Sequence, residues 1–387
     1  MNSNSTSASG IAIRPLTGIT VIDFTHVLSG PFCTMMLADQ GARVIKIERP
    51  DTGDDSRAFG PFYEDNSSVY FFFVNRGKES IAMDLKNPED MALLKRMFAK
   101  ADVVVENFSP GAMTRLGLDP AELVKEFPRL IFCSISGFGQ YGPLHKSPAY
   151  DTVVQALSGL MSVTGEPNGG PTRVGTSIGD LSAGVFAYAA IATALAARGR
   201  TGHGTLIDIA MLDGLFSLME HGLMDALAEH INPERIGNRH PSIAPFDTFQ
   251  CKDRTIAICC GNDKLFDSLC TTLGLSALVS DQRFSSNEKR VENYNALKPL
   301  IESALRADIA ETWQAKLGAA HIPVGLVQTV TEAENMPQIQ ARNMIETVRG
   351  RQVPGTPLKF GSYSSEISAI VPPALNADGE AIRKEFK

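Results

Sequence analysis

The strongest constraint on the fold lies close to the N-terminus. Ile19-Thr-Val-Ile-Asp-Phe24 is an apolar, β-branched run with little alternation, and His26-Val-Leu-Ser-Gly-Pro31 turns the chain. Phe32 to Asp39 has helical composition, and Gly41-Ala-Arg-Val-Ile-Lys-Ile-Glu48 reads as a second strand. Strands joined through a helix pair in parallel, with a right-handed crossover. The pattern then repeats. Asn87-Pro-Glu-Asp90 starts a helix with a capping Asn, Pro at the first position and acids in the first turn. Val103 to Glu106 is a buried strand, Asn107-Phe-Ser-Pro-Gly111 a loop, Leu130 to Ile135 a further strand, and Gly137-Phe-Gly-Gln-Tyr-Gly142 a Gly-rich loop. Alternation of this kind specifies an α/β fold with a Rossmann-like, doubly wound large domain.

Residues 15–205 are expected to form that domain, after a Ser- and Asn-rich tail over 1–14 that carries neither the basic start nor the apolar core of a signal peptide. Residues 206–231 read as a linker. A smaller α+β domain is expected over 232–330, opened by a hairpin about Lys252-Asp253. It continues through helices near Lys264–Leu273, Asn293–Arg306 and Ile309–Leu317 and a strand at Val324–Val330. Residues 331–387, with Pro354, Pro357, Pro372 and Pro373, read as a short helix and an irregular tail returning to the large domain. Leu181 to Ala197 is apolar, but it is rich in Ala and Gly and slightly short for a membrane span, so a buried helix is expected.

Charge and cysteine usage narrow the partners. With 36 Lys and Arg against 43 Asp and Glu, the formal charge is -7, so there is no overall cationic field for nucleic acid or an anionic membrane. An anionic ligand must meet local positive charge. The 6 cysteines form no CxxC and have no histidine at zinc spacing, which implies reduced thiols in the cytoplasm and no metal site. Glu48 at the end of the second strand invites a dinucleotide reading, but the first turn lacks GxGxxG, and no Walker A, HExxH or GxSxG sequence occurs.

Chemistry points instead to Asp180, in Arg173-Val-Gly-Thr-Ser-Ile-Gly-Asp-Leu-Ser-Ala-Gly184 ahead of the apolar helix. An acid there is commonly only a helix cap. Its glycine neighbours are expected to admit a bulky substrate and to leave backbone N–H groups free for a developing oxyanion. His26, His221 and His240 stand singly in the sequence, and a His of that kind is more often a packed or surface residue than a catalyst.

Pro15-Leu-Thr-Gly-Ile-Thr-Val-Ile-Asp-Phe24, Ala42-Arg-Val-Ile-Lys-Ile-Glu48, Asp84-Leu-Lys86, Ala101-Asp-Val-Val-Val-Glu-Asn-Phe108 and Pro110-Gly111 together resemble the class III coenzyme A transferases, the family of formyl-CoA transferase, from about Pro15 to the C-terminus. The resemblance places the family's nucleophilic aspartate at Asp180. Gly237-Asn-Arg-His-Pro241, Ala244-Pro-Phe-Asp247, Ile258-Cys-Cys-Gly-Asn-Asp-Lys-Leu-Phe266 and Gln340-Ala-Arg-Asn-Met344 resemble the branch that uses acetyl-CoA and oxalate, which implies oxalate as the acceptor acid. CoA enters as a substrate thioester, with no permanently bound cofactor.

Carried over by position, the resemblance puts CoA contacts at His26, Val27, Leu28 and Ser29 in the first turn, at Arg49, and at Met83 and Lys86. It adds Asn107, Phe108 and Ser109, then Ala112 and Arg115, with Tyr150 near the thioester. Arg49, Lys86 and Arg115 would supply the cations an acidic chain needs for a polyanionic ligand. Ser136 stands where formyl-CoA transferase has lysine, and Ser109 where it has Gly. The run of glycines that covers that enzyme's site has no counterpart, so Gly237, Gly261 and Asn262 are the candidates for a closing loop. An α-methylacyl-CoA racemase would need a His at Tyr150, whose phenol titrates near 10 in isolation. A non-catalytic CoA-binding protein would lack Asp180. The resemblance further implies a homodimer of two chains threaded like linked rings.

Overall fold

The computed structural model describes residues 14–364 and 366–387. All but the last residue of the expected N-terminal tail lies outside them. The chain divides into two compact units. The larger takes residues up to Leu160, Arg173–Leu223 and the chain from Gln338 on, and the smaller takes Met161–Thr172 and Met224–Pro337.

The larger unit is built on a six-stranded sheet: β1 (Thr20–Asp23), β2 (Arg43–Glu48), β3 (Lys78–Ala82), β4 (Val103–Glu106), β5 (Ile131–Ser136) and β6 (Leu206–Ala210). Every pair is parallel, in the order β3-β2-β1-β4-β5-β6, the Rossmann order. Side chains alternate across the strands and feed a core on each face. Val21, Val44, Val103, Val105, Ile131 and Cys133 meet Leu37 of the Ser29–Asp39 helix and Ala183, Ala187 and Ile191 of the Ile178–Thr201 helix. Ile22, Ile45, Ile81, Val104 and Phe132 meet Leu94 and Phe98 of the Pro88–Phe98 helix, with Ile382 and Phe386 from the C-terminus. The Pro88–Phe98 helix starts as expected, Asn87 accepting the Glu89 N–H at 2.8 Å.

Four expectations change. Leu206–Ala210, expected to open a linker, is the edge strand β6, its charged Asp208 on the less buried face. The return segment is more ordered than its prolines suggest. It forms an antiparallel hairpin of β10 (Ile345–Val348) and β11 (Arg351–Pro354) and a terminal helix, Gly379–Glu385. The chain also leaves the larger unit briefly at Met161–Thr172. Lastly, the apolar helix is buried on one face only. Gly179, Ser182, Ala183, Ala187, Ile191, Ala194 and Arg198 are buried at helical spacing, while Val185 and Phe186 are 46% and 36% exposed. By length and composition this helix could cross a membrane, and 33% of its most apolar stretch is buried.

In the smaller unit, β7 (Phe246–Gln250), β8 (Thr255–Cys259) and β9 (Val324–Leu326) form an antiparallel sheet containing the expected hairpin. Its core joins Phe249, Ile256 and Ile258 to Phe266, Leu269, Ile301 and Trp313 from the Asp263–Thr272, Tyr294–Leu305 and Ala310–Ala319 helices.

Candidate active site

Strand order reverses between β1 and β4, and open α/β sheets bind ligands at such a point, beyond the carboxyl ends of the strands. A cavity of about 460 Å³ opens there. His26, Arg49, Met83, Lys86 and Phe108, all expected CoA contacts, line it together with Lys46 and Leu116. The His26 ring stacks on Phe108, centroids 5.6 Å apart, giving the cavity a flat aromatic wall. Burial holds the His26 imidazole below its ordinary pKa, against the nearby charges of Asp54 and Asp55, so it stands neutral at pH 7. Arg49 and the exposed Lys86 bring positive charge to the rim. Arg49 is already engaged: its Nε donates to the Gly53 carbonyl at 3.1 Å, and its guanidinium pairs with Asp55.

Glu48, which invited the dinucleotide reading, is committed elsewhere. It accepts both Arg57 nitrogens at 2.8 and 2.7 Å, the Ser80 hydroxyl at 2.6 Å and the Asp54 N–H at 2.9 Å. No carboxylate oxygen is left for a ribose. Ser109, Ala112 and Arg115 do not line the cavity. The Ser109 carbonyl accepts the Ala112 N–H at 3.0 Å, Ala112 opens a short helix, and the Arg115 side chain folds back toward Gly111.

The first turn connects the cavity to the helix that carries Asp180. Leu28 precedes the Ser29–Asp39 helix, its carbonyl accepting the Phe32 N–H at 2.8 Å. The buried Ser29 opens that helix on the side that meets the Ile178–Thr201 helix, where its carbonyl faces Gly184. Asn107 ties this turn to β4, exchanging 2.9 Å hydrogen bonds with the His26 backbone and placing its amide 3.3 Å from Ser29 Oγ.

Asp180 is the third residue of its helix and not the cap, which is Ser177. Among the described residues no Lys, Arg or His forms an ion pair with it. Burial first, and the Asp151 charge second, push its carboxyl up to about 6, against the opposing Ser29 hydrogen bond. The surrounding glycines act differently from expectation. The Gly179 N–H, expected to be free, donates to Asp151 Oδ1 at 2.7 Å, and a Cβ on Gly179 would lie 3.0 Å from that oxygen. Gly184 serves packing, since a Cβ there would lie 2.7 Å from the Ser29 carbonyl oxygen. The absent side chain lets the two helices close against each other at Ser29 and Phe32.

Asp151 was not anticipated. Its other oxygen accepts Gln155 Nε2 at 2.6 Å, so one carboxylate orders the start of two helices. Its only sequence signal was adjacency to Tyr150, which precedes the Asp151–Leu157 helix and is 82% exposed. Tyr70 was missed too. Burial, with the charges of Asp180 and Asp54, pushes its phenol up to about 12, which sets its hydroxyl in the field of the nucleophile candidate.

Gly237, Gly261 and Asn262 belong to the smaller unit. Gly237 has φ +68° and donates to the Gly165 carbonyl at 3.1 Å. Gly261 is open, and Asn262 caps the Asp263–Thr272 helix by accepting the Leu265 N–H at 3.0 Å. No group of His, Cys, Asp and Glu suited to a metal occurs among the described residues.

A Rossmann-order sheet with an aromatic, cation-rimmed cavity at its switch point, and a half-buried carboxylate in the first turn of the Ile178–Thr201 helix, suits an enzyme that acts on a nucleotide-bearing acyl thioester. The chain belongs to CoA-transferase family III, whose sequence profile matches residues 16–379. It is 51% identical over 373 residues to the acetyl-CoA:oxalate CoA-transferase of Acetobacter aceti, covering 96% of each chain. It is 35% identical to the human succinyl-CoA:glutarate CoA-transferase, over 96% of this chain and 86% of that one. A crystal structure of a CaiB/BaiF family protein from Brucella suis superposes with a TM-score of 0.87 at 38% identity, covering 97% of this chain and 100% of that one.

Proposed function

We propose that the enzyme moves CoA from acetyl-CoA to oxalate, with Asp180 as nucleophile. The observation that carries the reading is the place of the Asp180 carboxylate, in the first turn of its helix with no Lys, Arg or His paired to it among the described residues, where burial and the Asp151 charge raise its pKa to about 6. It is ionised at pH 7 yet weakly stabilised, as a nucleophile must be. The identity to the Acetobacter aceti relative supports the choice of substrates.

An Asp180 oxygen attacks the acetyl carbonyl of acetyl-CoA, the C–S bond breaks, and CoA leaves as thiolate, giving an aspartyl–acetyl anhydride. The thiolate attacks the aspartyl carbonyl and acetate departs, leaving an aspartyl–CoA thioester. Oxalate attacks that carbonyl and displaces the thiolate, forming an aspartyl–oxalyl anhydride. Attack of the thiolate on the oxalyl carbonyl yields oxalyl-CoA and regenerates Asp180. One thioester replaces another, so no ATP is consumed. The protein supplies the ionised carboxylate, a held thiolate and a site that excludes water from the anhydrides. In this reading His26, Phe108, Met83, Arg49 and Lys86 hold the nucleotide end of CoA, and Val27, Ser29, Asn107 and Tyr150 lie toward the thioester.

Hydroxylamine should trap a covalent adduct on Asp180, and full activity in Asp180→Ala would sink the assignment. Incubating acetyl-CoA with oxalate, formate, succinate or itaconate, and reading the CoA esters by mass spectrometry, tests the acceptor. Absence of oxalyl-CoA defeats that part. Succinyl-CoA is the second donor to try, since the human relative carries it in its name. We also infer a homodimer, supported by the solvent-facing Val185 and Phe186; light scattering should give twice the chain mass. Six free thiols support a reducing compartment, the cytoplasm.

A further inference from the structure

Glu106 ends β4 as the only charge in Val103-Val-Val-Glu106, and it is 4% exposed. No cation pairs with it among the described residues. Parallel pairing sets Ser134 of β5 beside it and Asp208 of β6 beside Ser134, so the row across the three strands brings a second anion and no counter-ion. Burial first, and the Asp208 charge with it, push the Glu106 carboxyl up to about 7. A carboxyl kept in such a place costs stability unless it is well bonded.

Its bond is to the loop that walls the cavity. Glu106 Oε2 accepts the Phe108 N–H at 2.7 Å, two residues on, and so turns the chain as it leaves the sheet. Asn107, between them, exchanges 2.9 Å hydrogen bonds with the His26 backbone, which fixes the main chains bearing the His26 and Phe108 rings to each other. With its own backbone held by Glu106, the Phe108 ring stacks on the imidazole at 5.6 Å and 25°. It also makes an edge contact with the buried Phe24, centroids 6.5 Å apart. His26 and Phe108 line the cavity, and Glu106 does not.

We propose that Glu106 is a positioning residue for the nucleotide end of CoA: by accepting the Phe108 N–H it aims the Phe108 ring at His26 and sets the aromatic wall of the cavity. The inference rests on the reading that this cavity holds the nucleotide end of CoA. Aromatic pairs stack favourably only over a limited range of orientations. A loop freed at the Phe108 N–H therefore loses the wall while the strand stays paired. Because Glu106 acts through Phe108, its loss falls on CoA binding and spares turnover at saturation.

The test uses the full-length enzyme, with the Kd for free CoA read by titration calorimetry and KM and kcat measured for both substrates. Glu106→Leu fills the space without an acceptor. It should weaken CoA binding and raise the KM for acetyl-CoA by about tenfold, the scale of one hydrogen bond, with kcat and the KM for oxalate unchanged. Glu106→Gln keeps an acceptor oxygen and should bind CoA like the parent. Phe108→Ala should weaken CoA binding, and adding Glu106→Leu to it should then cost little more, since both changes remove the same wall. Parental CoA binding in Glu106→Leu, a loss confined to kcat, a glutamine variant as weak as the leucine one, or additive losses in the double variant each overturn the inference. If Glu106→Leu does not fold, Glu106→Val, which suits the valine run of β4, is measured in its place. Should neither fold, Glu106 holds the strand and not the wall, and the inference falls. Unchanged CoA binding in Phe108→Ala instead removes the reading of the cavity itself.

Discussion

Replacing Asp180 by Asn should abolish transfer and stabilise the folded protein, and the size of the second effect follows from the site. The Asp180 carboxyl is pushed from 3.8 up to about 6 by burial and by Asp151. Its folded state therefore binds the proton more tightly than the unfolded chain does. The cost of ionising it within the fold is absent below about pH 4 and fully present above about pH 6. The rise corresponds to about 3 kcal/mol at most, and about 2 kcal/mol is expected after imperfect accommodation of the amide. Asp180→Asn should raise Tm by about 3–6 °C at pH 8 and leave it nearly unchanged at pH 4. Differential scanning fluorimetry at both pH values, on the same preparation, reads the difference. A variant destabilised at pH 8, or stabilised equally at both, would refute the claim that the fold carries Asp180 at a cost.

Asp151→Asn removes the charge opposing Asp180 ionisation while keeping an acceptor for the Gly179 N–H, so the acid limb of kcat/KM should move to lower pH; an upward move contradicts the assigned field. Asp55→Asn frees Arg49 from its counter-ion, and the Kd for CoA by titration calorimetry should tighten about two- to fivefold, the range of an exposed pair. Unchanged or weaker binding would show that Arg49 does not meet the phosphates. Gly184→Ala should cost about 1–3 kcal/mol of stability by wedging the helices apart at Ser29, with kcat falling in parallel. A Tm equal to that of the parent would deny the close approach.

The strands that were legible in the sequence are those buried on both faces. β1, β2, β4 and β5 are β-branched runs, and their order along the chain implied the parallel sheet. β3 was not legible because Lys-Glu-Ser-Ile-Ala carries a charge pair that only tertiary structure explains. Lys78 is buried 3.0 Å from Asp23, and Glu79 meets Arg43 on the neighbouring strand. β6 was hidden by Asp208, whose carboxylate accepts the Gln140 N–H at 3.0 Å. At the candidate site, the cavity-lining His26, Arg49, Met83, Lys86 and Phe108 stand in motifs spread along the chain. Asp54 looked like one acid among several in a loop, and Asp151 like a neighbour of Tyr150. Both act through backbone N–H groups distant in sequence, which no local pattern encodes.

The C-terminal helix has a consequence for synthesis. Ile382 and Phe386 fill the core beneath β2 and β3, Arg383 pairs with Asp90, and Arg43 grips Glu385. That face of the sheet therefore stays open until Ile382 and Phe386 have left the ribosome, although its strands are made first. The smaller unit, contributed chiefly by Met224–Pro337, is complete earlier and has its own core. Folding on the ribosome should thus run out of sequence order, with the inserted unit closing before the sheet that precedes it and a chaperone window over the Ile22, Ile45 and Ile81 face.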